Sequence, residues 1–244
     1  MNKGILYFHQ GWTDIINCLS LINYYSTLYD KLYLIIRTDS QKIINFYTRN
    51  INNIEVLYID KNILDNSNII EYLNNNNLSN FDYLFHGFHD KNRKDLYINS
   101  FPSKINTCNI CFVKAFYEFY DINYISRINF FNFERNYELE DTIYQEFINK
   151  YGFEYIVHHE IHEYNTENIP YINLNGISEI FFDYIKVLEN SKEMHLLDSV
   201  WGAFIYLLDC KYKLFENKKI YLYPRRGYTS MFIEPIKLNN WIFI

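Results

Sequence analysis

Short apolar runs alternate along the chain with segments whose apolar residues recur every three or four positions. Residues 5–9, 32–37, 54–60 and 81–86 form nearly continuous apolar runs. A strand covered on both faces reads this way, as in a parallel sheet. Between them lie amphipathic stretches. The first covers 13–29, with Ile15, Leu19, Ile22, Tyr25 and Tyr29 on one stripe. Shorter helices are predicted at 41–47 and 66–74. Through residue 86 the order is therefore β-α-β-α-β-α-β, the mark of a doubly wound unit. Residues 74–80 are polar and Asn-rich and read as a surface loop. Residues 111–120 look helical, and 122–135 irregular and aromatic.

A helix predicted at 137–150 opens a second alternation. Strands are predicted at 155–158, 171–174, 194–197 and 220–223, with helices at 180–188 and 200–208. The last helix is apolar nearly all round, so it should be buried. The pattern gives an α/β protein of two Rossmann-like lobes with mostly parallel sheets, 1–130 and 131–244, joined by a linker within 121–152. In such folds ligands sit beyond the carboxyl ends of the strands, and often between lobes.

Composition changes this picture little. The 244 residues carry a net charge of −6, with 49% hydrophobic, 20% aromatic and 21% charged side chains. That is ample for a core and excludes a disordered chain. An acidic balance disfavours a nucleic-acid partner. No apolar run reaches the roughly 18 residues of a membrane span, and the first residues hold no signal-like stretch, so a cytoplasmic, reducing setting is expected. Abundant Ile, Asn, Lys, Tyr and Phe, with Ala only at Ala115 and Ala203, reflect AT-rich codons, so the aromatic richness is not itself a ligand surface. Cys18, Cys108, Cys111 and Cys210 read as free thiols, because the C-x-x-C at 108–111 has no second ligand pair at zinc spacing.

Candidate chemistry stands at the strand ends. After the first strand come His9, Gln10, Gly11, Trp12, Thr13 and Asp14. Gly11 is expected to permit a tight strand-to-helix turn. Asp14 has two readings, a helix-start carboxylate favoured by the dipole or a general base facing a cleft. Neither G-x-G-x-x-G nor G-x-x-x-x-G-K-[ST] occurs, so no dinucleotide fingerprint or P-loop is present. After the fourth strand come His86, Gly87, Phe88, His89 and Asp90, which read either as loop histidines or as substrate contacts. His9, Gly11, Trp12 and His86 form the candidate substrate-binding set.

In the second half, His158-His159-Glu160-Ile161-His162 follows a strand. Its polar groups could contact a ligand. On extended backbone His158, Glu160 and His162 would share a face, which opens a metal-site alternative. Asp198 and Ser199 stand between a strand and the buried helix. Ser199 can cap that helix, or the helix start can hold phosphate. Arg225 and Arg226 follow the next strand and suit a diphosphate.

Three segments carry a resemblance. GILYFHQGWTDIINCLSLINYY, FEYIVHHE and MHLLDSVWGAFIYLL resemble the opening turn, the first donor-lobe strand and the phosphate-holding turn of GT-B glycosyltransferases of the heptosyltransferase and fucosyltransferase kind. The Asp-Thr-Gly of heptosyltransferases is here Asp198-Ser199-Val200, without its Gly, and no Asp-x-Asp occurs. The resemblance implies an acceptor-side lobe followed by a donor lobe. It implies metal-independent transfer from a nucleotide-diphosphate sugar to a hydroxyl of a glycan or glycoconjugate, with Asp14 as base. His158, His159, Asp198, Ser199, Arg225 and Arg226 would bind the donor. No permanent cofactor and no metal are expected. Peripheral membrane contact and oligomeric state stay open. The alternatives are a non-catalytic GT-B-like module or a metal-dependent hydrolase built on His158, Glu160 and His162.

Overall fold

The computed structural model describes residues 2–8, 11–60, 69–78, 81–86, 112–118, 120–160, 169–175, 180–223 and 238–244. The chain divides into two compact units, Met1–Asn132 and Phe133–Ile244.

Unit 1 follows the predicted alternation. Strand β1 (Lys3–Phe8) leads to helix α1 (Trp12–Ser26), β2 (Lys31–Arg37), α2 (Gln41–Thr48) and β3 (Ile54–Ile59). Then come α3 (Ile69–Asn75), β4 (Asp82–His86), α4 (Phe112–Glu118) and α5 (Ser126–Asn129). The sheet order is β3-β2-β1-β4, and every pair is parallel. Ile5, Leu6, Leu32, Leu34 and Ile35 are fully buried, as expected of strands covered on both faces. Helix α1 is buried nearly all round because it packs on β1 and β2 and also on α4 and α5. Two of its buried polar groups are tied to those helices: Ser20 Oγ donates to Arg127 O, and Tyr117 Oη donates to Asn17 O at 2.6 Å. Asn23 Nδ2 donates to Phe130 O and Asn132 O, each at 2.8 Å, which ties down the end of the unit.

Unit 2 opens with α6 (Tyr137–Tyr151), capped by the Asn136 side chain, which accepts from Leu139 N at 3.2 Å. Gly152 ends the helix at φ 87° and ψ 176°, a conformation open only to glycine. Strands β5 (Ile156–His158) and β6 (Tyr171–Asn173) follow. A 3-10 turn (Phe181–Tyr184) runs into α7 (Ile185–Asn190), then β7 (Glu193–Leu197), α8 (Val200–Tyr212) and β8 (Lys219–Tyr223). The order is β6-β5-β7-β8-β9, again all parallel. The added strand β9 (Trp241–Phe243) was not anticipated. It is anchored by buried Asp209, whose Oδ2 accepts from Trp241 Nε1 at 2.9 Å and Asn240 Nδ2 at 3.0 Å. Arg135 joins α6 to α7, bonding Glu140 at 3.0 Å and Glu189 at 2.7 Å. No described helix is long and apolar enough to cross a membrane.

Candidate functional site

A doubly wound sheet has one point where successive strands begin to be added on the opposite side. Crevices open there, at the carboxyl ends of the strands. In unit 2 that point lies between β5 and β7, since β6 is added on one side and β7, β8 and β9 on the other. Beyond those ends stand His158-His159-Glu160 and Leu197-Asp198-Ser199.

The structure brings His159 and Ser199 together across 40 positions of sequence. Ser199 Oγ lies 2.7 Å from His159 Nδ1 and 3.2 Å from Leu197 O. The two strand ends are held in register, with His159 N donating to His195 O at 2.9 Å and Asp198 N to Tyr223 O at 3.3 Å. The hydroxyl has one proton, so it either donates to Nδ1 or donates to Leu197 O while accepting from a protonated Nδ1. Either way it is turned away from the helix it precedes. Ser199 occupies the N-cap position of α8 in an extended conformation and makes no side-chain cap bond. The capping reading of Ser199 is thus corrected, because its hydroxyl faces His159 and the β7 end and makes no bond to a helix N–H. The helix start keeps its positive dipole end without a serine cap. Asp198, 7% exposed, flanks it.

His158 does not join this pair. Its ring lies on a face of the sheet, stacked on Tyr171 with centroids 4.0 Å apart and planes within 6°. Glu160 has φ 56°, in the left-handed region, and its carboxylate accepts from Asn175 Nδ2 at 3.3 Å. That backbone turn breaks the extended alternation on which a shared His158, Glu160 and His162 face depended. His162 lies outside the described residues, as do Arg225 and Arg226. Among the described residues no group of three or more His, Cys, Asp or Glu side chains comes together as a metal site.

His195 was not singled out from sequence, yet it is fully buried beside the switch point. It bonds Glu193 Oε1 and Tyr223 Oη, each at 3.1 Å, and stacks on Tyr221 at 4.6 Å. Burial lowers its pKa, with Glu193 opposing. The signal available in sequence was its place between Met194 and Leu196, inside the apolar run of that strand.

In unit 1 the switch point lies between β1 and β4. His9 and Gln10 lie outside the described residues, as do Gly87, Phe88, His89 and Asp90. Gly11 is the N-cap of α1 at φ −69° and ψ 141°, ordinary extended backbone. The tight turn expected of it therefore needs no glycine-only conformation. Gly11, Trp12 and Asp14 are half-buried at the helix start. Asp14 stands in the first turn, one turn before Cys18, and its charge adds to burial in pushing that thiol up, against Arg127.

His86 is not a substrate-facing group. It is 1% exposed. Its Nδ1 faces the carbonyl of Phe116, which can only accept, so Nδ1 carries the proton. Nε2 then accepts from Tyr25 Oη at 2.9 Å. Tyr120 stacks on the ring at 4.1 Å and closes over the strand end, exchanging bonds of 2.7 and 2.9 Å with the Phe85 backbone. Burial pulls the His86 pKa down to about 4, against the Phe116 bond, so the ring is neutral. Both nitrogens are satisfied inside the unit, which corrects the substrate-binding expectation. Cys18 is buried, Cys210 half-buried, and both are free thiols; Cys108 and Cys111 lie outside the described residues.

No protein-family model matches the chain, and no curated protein matches it in sequence. Solved structures do match in shape. The glycosyl transferase family 9 structure from Veillonella parvula DSM 2008 aligns over 100% of this chain and 86% of its own, with TM-score 0.60 and 10% identity. E. coli heptosyltransferase WaaC with ADP-2-deoxy-2-fluoro heptose aligns over 100% and 93%, with TM-score 0.45 and 9% identity. The same enzyme with ADP aligns over 98% and 95%, with TM-score 0.42 and 10% identity. The Veillonella likeness shows the fold alone: two α/β units with parallel sheets, arranged along the chain as in that structure.

Proposed function

We propose that the chain transfers a sugar from a nucleotide-diphosphate donor to an acceptor hydroxyl on a glycan or glycoconjugate, without a metal. The fold likeness to a glycosyl transferase makes this class the starting point. The observation that carries it is the His159–Ser199 contact of 2.7 Å at the β5/β7 switch point, beside a helix start that Ser199 leaves uncapped. Helix starts hold phosphate through backbone N–H groups and the dipole.

On this reading unit 1 takes the acceptor and unit 2 the donor. Asp14 removes the acceptor proton as its oxygen attacks the anomeric carbon. The bond from that carbon to the diphosphate oxygen breaks as the new one forms. Charge gathers on the departing diphosphate, where the α8 start, Ser199 and His159 stabilise it as preorganised dipoles. Asp198 contacts the donor from the same turn. Arg225 and Arg226 supply the counter-charge that a metal gives elsewhere. Gly11, Trp12 and His9 border the acceptor. His158 and His86 take no part.

Incubation of the full chain with UDP-, GDP- and ADP-sugars and candidate glycan acceptors tests this through release of nucleoside diphosphate. Turnover with at least one donor is expected. Asp14→Asn should lower it by about 10²–10⁴-fold, the usual worth of a positioned base. Turnover untouched in Asp14→Asn would remove the assigned base, and release from no donor would overturn the reading.

A further inference from the structure

Unit 2 has a second concavity, on the edge of its sheet rather than at the switch point. It is a cavity of about 450 Å³ between α6, the end of β6 and the 3-10 turn. That lies within the roughly 300–1,000 Å³ typical of small-molecule sites. Among the described residues β6 is the outermost strand, with no further strand paired on this side.

Three aromatic side chains form its walls: Phe147 and Tyr151 from α6, whose rings lie 4.8 Å apart, and Tyr184 from the turn. Asn173 and Asn175 bring two amides to the same space. Both are oriented by local bonds, since Asn175 N donates to Asn173 Oδ1 at 2.9 Å and Asn175 Nδ2 donates to Glu160 at 3.3 Å. Glu146 and Lys150 add one charge of each sign, leaving the lining neutral. The Tyr184 phenol is pushed up by burial, then by Asp183, Glu146 and Tyr151, so it remains a hydroxyl donor at neutral pH.

Apolar ring faces beside amides, a carboxylate and hydroxyls match the chemistry of a pyranose, which offers a C–H face and a rim of hydroxyls. A lining without net positive charge does not favour a phosphate-bearing ligand. We propose that this cavity is a carbohydrate-binding site for a neutral pyranose residue, distinct from the donor site at Ser199. It goes beyond the transfer reading and does not rest on it.

Saturation-transfer NMR of the full chain with glucose, galactose, mannose, N-acetylglucosamine and their disaccharides tests the proposal. At least one should receive saturation, strongest on ring protons. Tyr151→Ala and, separately, the exposed Asn175→Ala should weaken binding roughly tenfold, near one lost aromatic or hydrogen-bonded contact. Ser199→Ala should leave it unchanged. Saturation of no saccharide, or binding that survives both cavity variants, overturns the proposal. Displacement of the saccharide by a nucleoside diphosphate does so too, by locating it at the donor site. None of these three results overturns the transfer reading, because Asp14 and Ser199 do not line the cavity.

Discussion

Each sheet carries a histidine at or just beyond the end of a strand beside its switch point, and the two histidines have opposite fates. His86, at the end of β4, is closed in by residues far along the chain: Tyr25 on α1, Phe116 on α4 and Tyr120 just beyond. Each ring nitrogen meets a fixed partner, and an aromatic ring lies on its face. His159, just beyond β5, instead meets a serine hydroxyl at the mouth of a helix. A buried histidine with two rigid partners is a fold element, because any change of charge or position breaks both bonds. Both rings bond a hydroxyl, but that of Tyr25 is buried with His86, whereas that of Ser199 is half-buried at a helix start and can exchange its donor and acceptor roles with a ligand. Identical residue type near a strand end therefore says little about role; the partners and their burial decide it.

His86→Ala should cost about 3–5 kcal/mol, since it opens a cavity under Tyr120 and leaves Phe116 O and Tyr25 Oη buried without their partner. Chemical denaturation reads this directly, and a cost under about 1 kcal/mol would mean the enclosure is not structural.

Acid sharpens it next. The folded-state pKa of His86 is about 4, below the ordinary 6.5. Its contribution to stability is therefore complete above pH 6.5 and is lost as pH falls toward 4. At about 1.4 kcal/mol per pH unit that range is worth roughly 3 kcal/mol. Burial lowers His195 as well, so unit 2 is weakened by acid in the same direction. Unfolding free energy measured at pH 7 and pH 4.5 should fall markedly, and His86→Phe should make the fall smaller.

Ser199→Ala gives the smallest effect on the fold. A serine that caps a helix is worth about 1 kcal/mol. Ser199 makes no cap bond, so its removal should cost only the bond to His159, about 0.5–1.5 kcal/mol. A loss of 1 kcal/mol or more in denaturation that persists when His159 is also replaced by Ala would restore the capping role that the geometry denies.

Much of the architecture was legible in the chain. The strands of unit 1 stood out because burial on both faces turns them into continuous apolar runs, and Val200, Trp201, Phe204, Leu207 and Leu208 marked α8 as a buried helix. Strand β9 was not legible, because Trp241–Phe243 is too short to carry a period and is held by Asp209 from another element. The site was legible in part. Strand ends pointed to His159 and Ser199, but not to their contact, which arises only when β5 and β7 lie side by side. The enclosure of His86 depends on three distant residues. The left-handed turn at Glu160 is a backbone property that no residue type announces. The role of Gly11 was misjudged for the converse reason, since its extended backbone suits any residue.

The central claim is that a diphosphate is held where α8 begins, with Ser199 and His159 beside it. Titration calorimetry of ADP, GDP and UDP into the full chain and into Ser199→Ala tests it most directly. The account predicts that at least one of them binds, and that the variant binds it about tenfold more weakly, the worth of one lost hydrogen bond to a charged group. Equal affinity in both proteins, or binding of none of the three, would contradict it.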